Sequence, residues 1–265
     1  MSEGSGATRD ERGVVTYTVN EPATRNALSI RVLQDIDDTL RTLAGEASVR
    51  VIVMTGAATT FSSGADRAEL ADPATIGLTT NLLSSILTRI DESPVPVVCR
   101  VNGAAFGAGL AILAAADISI ASDDAVFGLP EVRFGLVAGP AAAACLGRIG
   151  QTAALDVLLT GRRFGAAEAD RMHLLAKVVG RDELDAAVEQ CIAELLLGDP
   201  DAVTATRRMV RRLSGTDLAE RVRAARDAGE AVFDAHPKYS RRGLASGGVR
   251  DVGNKNRCRS TLSER

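Results

Sequence analysis

Over its first 150 residues the chain alternates compact β-branched runs with stretches of helical period, which restricts it to a layered α/β core. GVVTYTV (13–19) alternates and is rich in β-branched residues, as a strand requires. VRVIVMTG (49–56), VPVVCRVNG (95–103) and DISIAS (117–122) are short apolar runs that read as buried strands, and AVFGLPEV adds another. Between them, Ser29 caps a helix whose apolar face is Leu33, Ile36, Leu40 and Leu43. LTTNLLSSILTRI (78–90) has a second helical face, and VNGAAFGAGLAILAAADI (101–118) supplies a glycine turn and a helix. After Gly150 the pattern is helical, interrupted only by AKVVG (176–180).

Aromatic residues are 3% of the 265, with no Trp, so the core must be built from Ala, Val, Leu and Ile. The net charge of −3 argues against nucleic-acid or anionic-membrane partners. No apolar run approaches the roughly 20 residues that span a bilayer, and the polar start MSEGSGATRDERG does not read as a signal peptide. Cys99, Cys145, Cys191 and Cys258 are scattered without metal spacing, which fits reduced cysteines in a cytoplasmic protein. Residues 1–12 are expected to be disordered, 13–195 to form the α/β core and 196–237 a helical region. The tail 238–265, with eight Lys/Arg against two Asp/Glu and no periodicity, reads as disordered.

The two histidines, His173 and His236, neighbour no obvious nucleophile, so a Ser/His/Asp or Cys/His mechanism is weakly supported and a metal site more weakly still. GAAFGAG lacks the GxGxxG dinucleotide spacing. Three segments remain: FSSGADRAEL (61–70), NGAAFGAGLA (102–111) and FGLPEVRFGLVAG (127–139). The first two are glycine turns at helix mouths, where backbone N–H groups lack acceptors and the dipole is positive. Two such turns facing each other would converge two donors on one developing oxyanion. Glu131, between Pro130 and Val132, is expected to be poorly solvated, with a raised pKa suited to carrying a proton.

With TRNALS and LLTGRRFGAAEADRMHLLAKVV, these segments resemble the crotonase, or enoyl-CoA hydratase/isomerase, superfamily over roughly 13–235. The resemblance implies a spiral of ββα units with a helical C-terminal region that assembles trimers or pairs of trimers. It implies a coenzyme A thioester substrate and no prosthetic group. The thioester oxygen would accept from the backbone N–H groups of Ala65 and Ala108. Arg25, Asn26, Ala27 and Leu28 match the coenzyme loop, with Ser63, Gly64 and Asp66 beside it and Lys238 a weaker match; Phe233 and Tyr239 are other local candidates. A loop cap is the plainer reading of Asp66, an exposed helix face that of Glu69, and a structural or rim cation that of Arg133. A typical hydratase of the family holds water between two glutamates. The second matches Glu131, but the first falls on Ala111. The second acid of dienoyl isomerases falls on Gly139. The resemblance therefore implies single-glutamate chemistry: double-bond isomerisation or a hydratase-like lyase reaction. A decarboxylase, a thioesterase and a non-catalytic coenzyme-binding scaffold are the alternatives.

Overall fold

The computed structural model describes residues 4–213 together with Leu218, Ala219, Arg223 and Arg226. The chain opens with β1 (Gly6–Arg9), β2 (Val14–Val19), β3 (Ala27–Leu28) and α1 (Ile30–Leu43). Then come β4 (Val51–Gly56), β5 (Thr60–Ser62), β6 (Gly64–Ala65), α2 (Arg67–Ala71) and α3 (Ile76–Glu92). The next stretch is β7 (Val97–Val101), β8 (Ala104–Phe106), α4 (Ala108–Ala115), β9 (Ile118–Ser122) and β10 (Val126–Gly128). The last elements are α5 (Gly139–Thr160), β11 (Arg163–Gly165), α6 (Ala166–Arg171), β12 (Lys177–Val179), α7 (Leu184–Leu197) and α8 (Pro200–Leu213).

Six strands form one sheet in the order β1-β2-β4-β7-β9-β12, parallel except for the β1/β2 hairpin. A second sheet runs β11-β10-β8-β5, and β3 pairs with β6. The chain steps from β4 to β5, from β7 to β8 and from β9 to β10, each time from the large sheet to a short strand outside it, before entering a helix. This repeated ββα step is the spiral that the sequence resemblance implies.

Period-two alternation gives each face of the large sheet its own core. Ile52 and Met54 pack in the main cluster with Val15, Tyr17, Val97 and Cys99, on the side of α1 and α3. Val51 and Val53 point the other way, with Val14, Val98 and Ile120, against Leu184, Val188 and Ile192 of α7. Both faces are covered, so the central strands β4, β7 and β9 read in sequence as compact apolar runs. Helix α1 buries Val32, Leu33, Ile36, Leu40 and Leu43 along one stripe, and the Ser29 hydroxyl accepts from the Val32 N–H at 3.4 Å.

Two sequence expectations need correction. The segment 1–12 is not disordered throughout: Gly6–Arg9 is a strand, antiparallel to β2 from Gly6 opposite Thr18 to Arg9 opposite Val15. This strand is mostly exposed, so no buried alternation marks it in the sequence. Its ladder to β2 holds it, and Arg9 pairs with Glu46 while Arg12 pairs with Asp10 and Glu189. Second, α5 begins at Gly139, well before the helical pattern read after Gly150. At Gly150 (φ 71, ψ 168) the helix breaks in two. By length and composition α5 could cross a membrane, but its first half buries Ala141, Ala144 and Cys145 in the main core. Cys99, Cys145 and Cys191 are free thiols.

The corner between β4 and β5 is held by a buried amide. Asn26, 1% exposed, donates through Nδ2 to Ala57 O (2.9 Å) and Thr60 O (2.6 Å) and accepts from the Glu21 N–H (3.0 Å). Removing this amide takes a partner from three backbone groups, of which Thr60 O keeps only a long contact to Asn102 Nδ2 (3.5 Å). Asn26→Ala is expected to lower unfolding free energy by roughly 2–3 kcal/mol in urea titrations; a loss under about 0.5 kcal/mol would show that water replaces the amide.

Candidate active site

The TRNALS loop is fixed before any ligand arrives. Arg25 and Asn26 both lie in the left-handed region (φ 56 and 58), after a 3-10 turn at Pro22–Thr24. Strand β3 then runs parallel to β6, with Ser63 N–H donating to Arg25 O (3.0 Å) and Asp66 N–H to Leu28 O (3.2 Å). The Ser62 hydroxyl donates to Asn26 O at 2.8 Å and accepts from the Gly64 N–H at 3.1 Å. The loop and the glycine turn are therefore one hydrogen-bonded unit. Ser62 was not singled out from the sequence; its only signal is its place in FSSG.

The two glycine turns face each other. A side-chain carbon at Gly64 (φ 95) would lie 2.9 Å from Phe106 O and 3.8 Å from Ala108 N. One at Gly109 would lie 2.6 Å from Ser62 Cβ. Glycine thus lets β6 and the mouth of α4 approach backbone to backbone. The first intrahelical bond of α4 is Ala111 N–H to Gly107 O at 2.9 Å. The N–H groups of Ala108, Gly109 and Leu110 precede it and have no acceptor inside the helix. Ala65 lies opposite, half-buried, in the residue pair that β6 contributes.

Glu131 comes to the same place from the third segment. It sits on a 3-10 turn spanning Pro130–Phe134. A side-chain carbon at Gly107 (φ 49) would lie only 2.8 Å from Glu131 Oε1. Glu131 Oε2 is buried with no hydrogen-bond partner. Burial pushes the carboxyl from 4.5 up to about 7, with its own backbone N–H pulling slightly the other way. The buried Cys145 thiol is pushed up as well, by burial first and then by the charge of Glu131. At the end of the same turn Phe134 is exposed, with the Arg67 guanidinium 4.7 Å over its ring.

The remaining carboxylates nearby are committed to backbone. Asp66 caps α2, accepting from Ala68 N–H (2.8 Å) and Glu69 N–H (3.3 Å), as the plainer sequence reading expects. Glu69 is not on an exposed face: it is half-buried, and its Oε2 accepts from Ile30 N–H at 2.7 Å. Ala111 is 0% exposed. Arg133 donates to Thr160 O at 3.0 Å, a structural contact. Among the matched coenzyme-loop positions, Arg25 is exposed and Ala27 half-buried. Asn26 and Leu28 are turned inward, at 1% and 0% exposure, so what these two can offer a ligand is backbone. The Ser63 hydroxyl donates to Thr24 O at 3.0 Å. Lys238, Phe233, Tyr239 and His236 lie outside the described residues. Among the described residues no three His, Cys, Asp or Glu side chains gather as a metal site.

Fold and site geometry define a crotonase-like protein, and comparison with known proteins agrees. The family model for enoyl-CoA hydratase/isomerase matches residues 9–245. A probable enoyl-CoA hydratase of Mycobacterium bovis is 31% identical over 213 residues, covering 80% of this chain and 82% of that one. The 2,3-dehydroadipyl-CoA hydratase of Escherichia coli is 30% identical over 203 residues, covering 76% and 80%. The crystal structure of an enoyl-CoA hydratase from Mycobacterium avium subsp. paratuberculosis superimposes with a TM-score of 0.81 at 29% identity, covering 90% and 97%. The chain belongs to the enoyl-CoA hydratase/isomerase family and is an enzyme of that family. The family's substrates are coenzyme A thioesters.

A carboxyl held at about 7 binds its proton more tightly in the folded chain than in the unfolded one. Between the ordinary value of 4.5 and about 7 the unfolded chain ionises first. Stability therefore falls as pH rises through that window and stays reduced above it. Glu131→Gln is expected to match the wild-type Tm at pH 4 and to exceed it at pH 8. A gap that does not change with pH would show that burial does not penalise the ionised carboxylate.

Proposed function

We propose that the protein binds an enoyl-CoA with its thioester oxygen on the backbone N–H groups of Ala65 and Ala108, and that Glu131 is the single general acid/base. The observation that carries this reading is the buried, unpartnered Oε2 of Glu131, whose other oxygen lies beside Gly107 at the mouth of α4. A carboxylate left without a hydrogen bond is poised to take a proton, and a pKa of about 7 lets it hold and release one near neutral pH. Glu131 takes a proton from C2 of a 3-enoyl thioester, and the electrons move onto the thioester oxygen. Two backbone donors stabilise that enolate without a charged side chain. The enolate collapses as Glu131 returns the proton at C4, leaving the 2-enoyl isomer. The methyl group of Ala111 can neither orient water nor carry a proton, which favours isomerisation over two-glutamate hydration. Arg25, exposed and without an ion pair among the described residues, is the cation that the loop offers the coenzyme.

A hydratase-like lyase reaction with one glutamate is the second reading, favoured by the hydratase names of the relatives. Assembly as a trimer or a pair of trimers belongs to the proposal. Val137, Leu146, Leu155 and Leu159, exposed on α5 and just before it, offer apolar surface for it.

Purified protein is expected to convert a 3-enoyl-CoA to the 2-enoyl isomer, with kcat/KM rising as pH approaches about 7. Glu131→Gln is expected to lose ~10²–10⁴-fold in kcat; a Gln variant as active as wild type sinks the one-base mechanism. Chromatography and mass spectrometry of the products separate isomerisation from hydration, decarboxylation and thioester hydrolysis. Hydration of crotonyl-CoA by wild type is expected to be slow, ~10²-fold or more below isomerisation. Hydration as fast as isomerisation would overturn the weight placed on Ala111.

A further inference from the structure

Helix α4 has to place the Ala108 N–H accurately, yet none of its residues, Ala108 to Ala115, has a side chain that can hydrogen-bond. All eight are buried. Leu110, Ile112 and Leu113, all fully buried, key the helix against its neighbours, but the five small residues Ala108, Gly109, Ala111, Ala114 and Ala115 leave both of its ends without bulky side chains to fix them. At roughly 12 Å in length, the helix transmits any shift at one end directly to the other.

The far end of α4 is held by arginines from two later helices. Arg148, on α5, donates through Nε to Ala114 O (3.0 Å) and through Nη2 to Ala116 O and to Asp117 O (3.3 Å). Arg211, on α8, donates through Nη2 to Ala115 O (2.8 Å). The last carbonyls of α4 are thus met by guanidinium groups, where helix geometry leaves acceptors unsatisfied and the dipole is negative. Asp117 locks this end to its surroundings. Its Oδ2 accepts from Val97 N–H (2.8 Å) and Arg207 Nε (2.7 Å), and its Oδ1 from Arg211 Nη2 (2.7 Å). Arg207 also donates to Asp91 O (2.9 Å) and Ser93 O (2.6 Å), and Arg211 pairs with Asp91. The Arg207 side chain is 8% exposed, that of Asp117 17% and that of Arg211 24%, so the cluster is largely buried, along the wall of a cleft.

We propose that Arg148 and Arg211 are positioning residues: by gripping the C-terminal carbonyls of α4 they set the axial position of Ala108 N–H opposite Ala65. The inference rests on the oxyanion-hole reading above and extends it to residues at the opposite end of the helix. It also makes α8 part of the site's support, although α8 supplies no group to the reacting atoms.

The test uses acetyl-CoA labelled with ¹³C at the thioester carbonyl, whose bound C=O stretch is read by infrared difference spectroscopy without turnover. Wild type is expected to lower the stretch relative to free acetyl-CoA. Arg148→Met and Arg211→Met are expected to return it toward the free value. Both should lower kcat by roughly 10–100-fold, with KM changed less than about threefold. Should either Met variant fail to fold, Arg148→Lys and Arg211→Lys carry the same measurement, since a single ammonium cannot span the carbonyls the guanidinium joins. Folded variants with the wild-type stretch and kcat, and only a lower Tm, would make the cluster a structural tie and overturn the proposal. A wild-type protein that binds acetyl-CoA without shifting its carbonyl would instead remove the oxyanion hole, and this inference with it.

Discussion

Every residue of α4 is buried, and its polar atoms are all backbone. A helix of this kind needs its ends satisfied by other parts of the chain. At the C-terminal end arginines from α5 and α8 supply donors to Ala114, Ala115 and Ala116. At the N-terminal end the only capping residue is Gly107, without a side chain to give. The two ends therefore differ in kind: one is saturated with protein donors, and the other keeps its N–H groups for something outside the helix. The small side chains that allow this are the same ones that let Gly109 rest on Ser62 and Gly64 on Phe106.

Beside the open end stands a carboxyl that the fold dehydrates. Nothing among the described residues bonds to Glu131 Oε2. The arrangement opposes stability, since an ionised carboxylate away from water is costly. Elsewhere the acids follow the ordinary rule: Asp66 caps α2, Glu69 holds the Ile30 amide and Asp117 gathers two arginines. A local violation of this sort, a buried acid left without a hydrogen bond, is typical of functional positions.

The sequence made some of this visible and hid the rest for definite reasons. Strands β4, β7 and β9 stood out because burial on both faces leaves compact apolar runs, β2 because its β-branched residues alternate, and α1 because its apolar stripe has helical spacing, whereas the two- and three-residue strands β3, β5, β6 and β8 are too short to leave a pattern. The facing turns could be read because glycine reports close backbone approach wherever it clusters. Strand β1 was missed because it is held by a backbone ladder and surface ion pairs, neither of which leaves an apolar pattern. The start of α5 was missed because GPAAAACLG reads as loop residues followed by small ones. The sequence places Asn26 in the TRNALS loop, but the inward direction of its side chain depends on a left-handed backbone conformation that no spacing rule reveals. Arg148, Arg207 and Arg211 carry no signal in the sequence, because the acid and carbonyls they meet lie up to 117 positions away.

The large sheet carries two separate cores on opposite faces, assigned residue by residue along each strand. Loss or gain of a single codon within β4 would exchange them: Ile52 and Met54 would turn toward α7, and Val51 and Val53 toward α1. Changes of length are thus confined to connections such as 72–75, between α2 and α3, while the strands can drift only by substitution. A lineage built on this frame can change its connections by insertion and deletion, yet must keep the count of residues between Val51 and Gly56 constant.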